Sequence, residues 1–177
     1  MPDQKDDRVK LARRRLVQAA CASVAGAVLF IILFWVFSGT LEDIETVFAG
    51  GAFLLILGGI AWLAQRGRER LAAWFLAGLL TLLITVDIQY YGVGTPSAAG
   101  FVLPVVLAAC ALGLWAGLGV SLVGCAVIWL VAWGSTSGGW VSPPAPIDHL
   151  TFNAPALTVI LVATALIVGL WSRSLEK

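Results

Sequence analysis

The sequence predicts an all-α fold: a polytopic bundle of six transmembrane helices with both termini cytoplasmic. Three features point there. The 177-residue chain is 60 % hydrophobic and 12 % charged, with a mean hydropathy of +0.95, against about 25 % charged residues in an average soluble domain. Uncharged apolar stretches, beginning with Leu16 to Phe37, are long enough to cross a hydrocarbon core of about 30 Å. All 11 Lys and Arg residues fall into three clusters, Lys5 to Arg15, Arg66 to Arg70, and Arg173 with Lys177. Loops of the opposite parity hold none. Cytoplasmic loops carry the Lys/Arg excess, so an even number of crossings puts every cluster inside, as in a bacterial inner (cytoplasmic) membrane. The outer loops hold only acids, Glu42, Asp43, Glu45 and Asp148, with Asp87 near the same face.

Residues 1–15 form a cytoplasmic basic segment that mixes both charges and is expected in or near the headgroup layer. Residues 16–171 form the six-helix domain. Span one, about Leu16 to Phe37, is too long for a signal-peptide core, and no small-residue cleavage site ends it before Ser38. Thr40, with Glu42 and Asp43 close behind, starts span two, because acids favour a helix N-terminus; it reaches about Ala64. QRGRER is a tight inner turn, flanked by Trp62 and Trp74 as interfacial anchors. Span three runs from Leu71 to about Tyr91. The irregular outer stretch YYGVGTPSAAG follows, broken by Gly92, Gly94 and Pro96.

The uncharged stretch from Ser97 to Trp133 would measure about 55 Å as one helix, so it must bend. The expected bend is LGLWAGLG, where Gly113, Gly117 and Gly119 weaken the helix and Trp115 sits at the inner interface. Span four is then about Ala98 to Leu114 and span five about Leu118 to Trp133. After a long Ser-, Gly- and Pro-rich outer loop, Asp148 or Thr151 caps span six, about Asn153 to Trp171, with Pro155 tolerated in its first turn. Residues 172–177, SRSLEK, leave the membrane without a helix breaker and start a cytoplasmic signalling helix. Ala22/Gly26, Gly113/Gly117 and Gly117/Ser121 are small residues at four-residue spacing, which lets helices approach closely. They serve packing within the bundle, a homodimer face or the docking of another subunit. Gly50, Gly51, Gly58 and Gly59 thin span two for packing or loosen it.

Chemistry is sparse. Cys21, Cys110 and Cys125 are scattered in apolar helices, giving neither a disulfide framework nor a CxxC motif. His149 is the sole histidine, too few for a zinc site or bis-histidine haem ligation; beside Asp148 it is a capping-loop residue or half of an outer pH-sensitive pair. No Ser/His/Asp set, HExxH, Walker loop or GxSxG occurs. Neither enzymatic activity, a metal nor a cofactor is therefore expected. Asp87 is the acid within a span, three residues before Tyr90 and four before Tyr91, so one helix face presents a carboxylate and a phenol together. Ionisable groups in spans are rare and often functional. Asp87 is either hydrated or bonded near the interface, or forms a ligand-binding patch with Gln89, Tyr90 and Tyr91.

The stretch YYGVGTPSAAGFVLPVVLAACALGLWAGL, with its tyrosines, Gly-rich loop and Pro96, then Phe101, Leu103-Pro104 and Leu112-Gly113, resembles the N-terminal multi-helix membrane module of bacterial sensor histidine kinases and related cyclase receptors. The resemblance implies a sensory input module in a two-component type of signalling. Trp171, Ser172 and Ser174 would relay a shift of the last helix to a kinase or cyclase effector, in cis or in trans, with a homodimer possible. In that family the chain continues into a coiled coil and effector, whereas this sequence ends at Lys177, so the resemblance implies a sensor half without its output: cut out as a domain, a remnant, or paired with a separate effector; the turn at LGLWAGL also lacks the family's frequent basic residue. Six short spans with both ends inside also look like the substrate-binding subunit of an energy-coupling-factor vitamin transporter, with Ala22/Gly26 docking the coupling subunit and the 134–153 loop covering the pocket. A scaffold without a ligand is the third reading.

Overall fold

The computed structural model describes residues 3–38, 44–91, 93, 96–136 and 153–176. The expected caps of spans two and six, and Gly92, Gly94, Asp148 and His149, lie outside them. The chain forms seven helices over the described residues: α1 (Asp3–Ser38), α2 (Ile44–Gln65), α3 (Glu69–Tyr91), the short α4 (Pro96–Ala99), α5 (Val102–Leu112), α6 (Leu114–Thr136) and α7 (Ala154–Glu176). Among these residues four segments are long and apolar enough to cross a membrane, Phe48–Gln65, Glu69–Gln89, Leu114–Gly134 and Ala154–Ser172, and Ser97–Leu112 is a shorter apolar segment. Only 17 to 39 % of each long window is buried within the protein. Phe30, Phe48, Leu55, Leu122, Val159 and Ile167 are all exposed. Water does not tolerate apolar surface on that scale, whereas lipid is its natural solvent. The protein is thus an all-α bundle of the multi-spanning membrane kind.

Two compact units make up the chain, Met1–Leu76 and Ala77–Lys177. In the first, α1 is a single 36-residue helix, so the basic segment continues without a break into the apolar one. It packs on α2. A Cβ at Gly50 would lie 2.6 Å from Cδ1 of Ile32, so one of the four span-two glycines serves close packing, while Gly51, Gly58 and Gly59 face open space. The QRGRER turn is built as expected. Gly67 takes φ +80°, a left-handed conformation, and the Arg68 and Gly67 amides donate to the Leu63 and Ala64 carbonyls at 3.3 Å. This double bond pattern closes a helix C-terminus. Trp62 and Trp74 are both exposed, as interfacial anchors require.

In the second unit α5, α6 and α7 pack against one another, around Phe101, Val105, Ile128 and Leu161, all fully buried. The sequence places span four at Ala98 to Leu114 without a break, but the structure interrupts it at Gly100–Phe101. Pro104 has no N–H to return to the Gly100 carbonyl, which instead accepts from Leu103 at 3.0 Å, and α5 begins only at Val102. The next bend is sharper than expected. Gly113 alone makes it, with φ 102°, and α6 starts at Leu114 rather than Leu118. Gly117 and Gly119 lie inside α6. Gly117 is there for contact: a Cβ on it would sit 2.7 Å from Ala109 Cβ and 3.0 Å from Ala109 Cα. Gly124 likewise faces Leu161 and Phe101. Trp115 is 75 % exposed next to the bend.

Candidate functional site

Asp87 lies in the last turns of α3, half-buried, next to the fully buried Ile88. Tyr90 and Tyr91 belong to the last turn of the same helix, and their side chains lie outside the described residues. Gln89 is exposed and points about 200° away from Asp87 around the helix. Of the four candidate residues, the structure describes the side chains of Asp87 and Gln89, and these two point to different sides of α3. Below them, Thr81 and Thr85 donate to the carbonyls of Ala77 and Thr81 at 2.8 and 2.7 Å. These hydroxyls are satisfied by their own helix, the usual solution where no water is available.

The candidate relay stands on α7, which remains helical through Ser172 and Ser174 to Glu176, past the end of its apolar window at Ser172. Trp171 is exposed and Ser172 half-buried. Two residues earlier, Gly169 is buried against the start of α6. A Cβ there would meet Leu114 Cδ1 and lie 2.9 Å from Leu114 Cα. The C-terminal part of α7 thus rests beside the Gly113 bend with no space for a side chain at Gly169. Higher up, Trp129 Nε1 donates to Thr158 Oγ1 at 3.0 Å, and that hydroxyl donates to the Ala154 carbonyl at 2.8 Å.

A third feature lies in the first unit. An open groove of about 420 Å³ runs between α1 and α2, with Leu54, Leu57, Ala22 and Gly58 along its walls and Gln18 and Gln65 at one end. The sequence reading identifies Ala22 as a close-approach residue but passes over both glutamines. Their signal was present: each is an amide within three residues of an arginine cluster, at the end of an apolar stretch.

Among the described residues no three His, Cys, Asp or Glu side chains gather as metal ligands. Cys21, Cys110 and Cys125 are free thiols. No protein-family model matches this sequence, and no curated protein or solved structure matches it either. What the fold and the exposed apolar helices establish is a membrane-embedded helical bundle.

Proposed function

We propose that this chain is a membrane-embedded sensory input module, without chemistry of its own, that passes a conformational change through α7 to a cytoplasmic kinase or cyclase. Six crossings with both ends in the cytoplasm of a bacterium best accommodate the three arginine and lysine clusters. The observation that carries the signalling reading is the continuity of α7 from Ala154 to Glu176. A helix that leaves the bilayer unbroken moves as a rod, so a small rotation within the bundle appears undiminished at its exit. The side-chain-free contact of Gly169 with Leu114 supplies a fulcrum next to Trp171. A stimulus at the Asp87 end of α3 need only bind two packings of the bundle with different affinity.

The test is a phase series. The chain is fused through Glu176 to the coiled coil of a kinase core, with zero to four residues inserted at the junction, and autophosphorylation is read in native vesicles. Each insertion rotates the output by about 100°, so activity is expected to rise and fall with insertion length. Proline at both Ser172 and Ser174 breaks the helix and should flatten the series while leaving insertion into the membrane intact. A flat response in the parent fusion would sink the reading.

A further inference from the structure

We propose that the α1–α2 groove is a binding site for one anionic phospholipid, its acyl chain lying between the helices and its phosphate at the Gln18/Gln65 end.

Register comes first. Gly50 touches Ile32, and an equal count back along α1 and forward along α2 leads to Gln18 and to Ala64, beside Gln65. The two amides therefore stand opposite one another at one end of the groove, and Ala25 and Leu54 mark its other end. From Gln65 to Leu54 the groove is about 16 Å long. That is about the depth of one leaflet, half of a hydrocarbon core of about 30 Å. Its walls are aliphatic, and the small residues Ala22 and Gly58 leave the width: a Cβ at Gly58 would meet nothing within 4 Å.

Charge then selects the occupant. Arg14 and Arg15 lie one turn before Gln18 on the same side of α1, two turns beyond its nearest acid, Asp7, and Arg66, Arg68 and Arg70 follow Gln65 with one acid, Glu69, among them. Arg66 is held over the Trp62 ring, its guanidinium carbon 3.9 Å from the centroid, at the level where tryptophan marks the headgroup layer. The polar end of the groove is thus lined by two neutral amides, and arginines from both helices flank it in sequence; amide and guanidinium donors together are the set that recognises a phosphodiester. Basic pockets between transmembrane helices take anionic headgroups for this reason. A second protein helix would satisfy the aliphatic walls but would have to bring acids to this end.

The full chain is placed in nanodiscs of equal phosphatidylglycerol and phosphatidylcholine and released into native mass spectrometry. One phosphatidylglycerol is expected to stay bound in preference to phosphatidylcholine by about tenfold. Gly58→Leu and Ala22→Leu, each filling the groove from a different helix, should abolish the adduct, and either variant suffices if the other fails to fold. Arg15→Gln with Arg68→Gln should keep a lipid but lose the preference. Equal retention of the two lipids by the parent chain would overturn the proposal. So would a phosphatidylglycerol adduct that survives both groove-filling variants, which would mean attraction to the arginine belt alone. A disulfide between two protomers through Gly58→Cys, formed without change in the lipid adduct, would assign the groove to a second copy instead.

Discussion

Trp129 and Thr158 are joined across α6 and α7 by a hydrogen bond from the indole Nε1 to Oγ1 at 3.0 Å, and the same hydroxyl donates to the Ala154 carbonyl. One threonine thereby satisfies a tryptophan N–H and couples α6 to the helix proposed to carry output. Trp129→Phe and Thr158→Val each remove the bond while keeping most of the volume. Each is expected to lower stability by about 0.6 kcal/mol and at most about 2 kcal/mol. The double variant should cost less than the sum of the singles in a thermal-unfolding cycle in detergent. Full additivity would show the two side chains to be energetically independent.

Gly117 packs its backbone on Ala109, with 2.7 Å between the position of a Cβ and Ala109 Cβ. Gly117→Ala must push α5 and α6 apart and is expected to cost about 1 to 3 kcal/mol, as overpacking does. Ala109→Gly removes the atom in the way. Combining the two substitutions should restore most of the lost thermal stability, and no rescue would mean that the loss arises elsewhere.

These two cases show what the sequence carried and what it did not. Helix positions followed from uncharged length and from the QRGRER turn, because backbone chemistry acts locally, whereas the break that Pro104 imposes before α5 was passed over. The all-α membrane bundle was legible for the same reason, since bilayer thickness sets helix length. The bend was placed in the right segment, yet three glycines competed for it, and only packing distinguishes Gly113, which takes a positive φ, from Gly117, which faces Ala109. The groove was half legible: Ala22 was singled out by spacing, but Gln18 and Gln65 meet only once α1 and α2 pair, a relation between residues far apart in the chain. Asp87 stood out because an acid in a span is costly, and its helical spacing to Tyr90 and Tyr91 was legible in the sequence as well.

Gly67 holds the α2–α3 turn at φ +80° while the Arg68 and Gly67 amides cap α2. An alanine there has open space around its Cβ but must adopt a left-handed backbone, at a cost of about 1 to 2 kcal/mol. Gly67→Ala is therefore expected to destabilise, and Gly67→Asn to destabilise less, since asparagine tolerates this region better. Thermal melts of the pair check the order; equal losses would remove the backbone explanation.

Ser121 is fully buried in α6, and its Oγ has no hydrogen-bond partner, although Thr81, Thr85 and Thr158 all bond back to the carbonyl four residues earlier. It stands one turn beyond Gly117, on the seam that α6 presents to α5. Small size accounts for a serine here, since among the described residues the hydroxyl makes no hydrogen bond. An unmade bond carries its full desolvation penalty, so removing the oxygen should gain rather than lose. Ser121→Ala is expected to be neutral or stabilising by up to about 1 kcal/mol, and Ser121→Val, which keeps the small polar residue's place but adds bulk, to destabilise by about 1 to 3 kcal/mol. Unfolding of the three proteins in the same detergent separates the two contributions. A clear loss in Ser121→Ala would show that the hydroxyl finds a partner in the bilayer, and would make that partner the next object to identify.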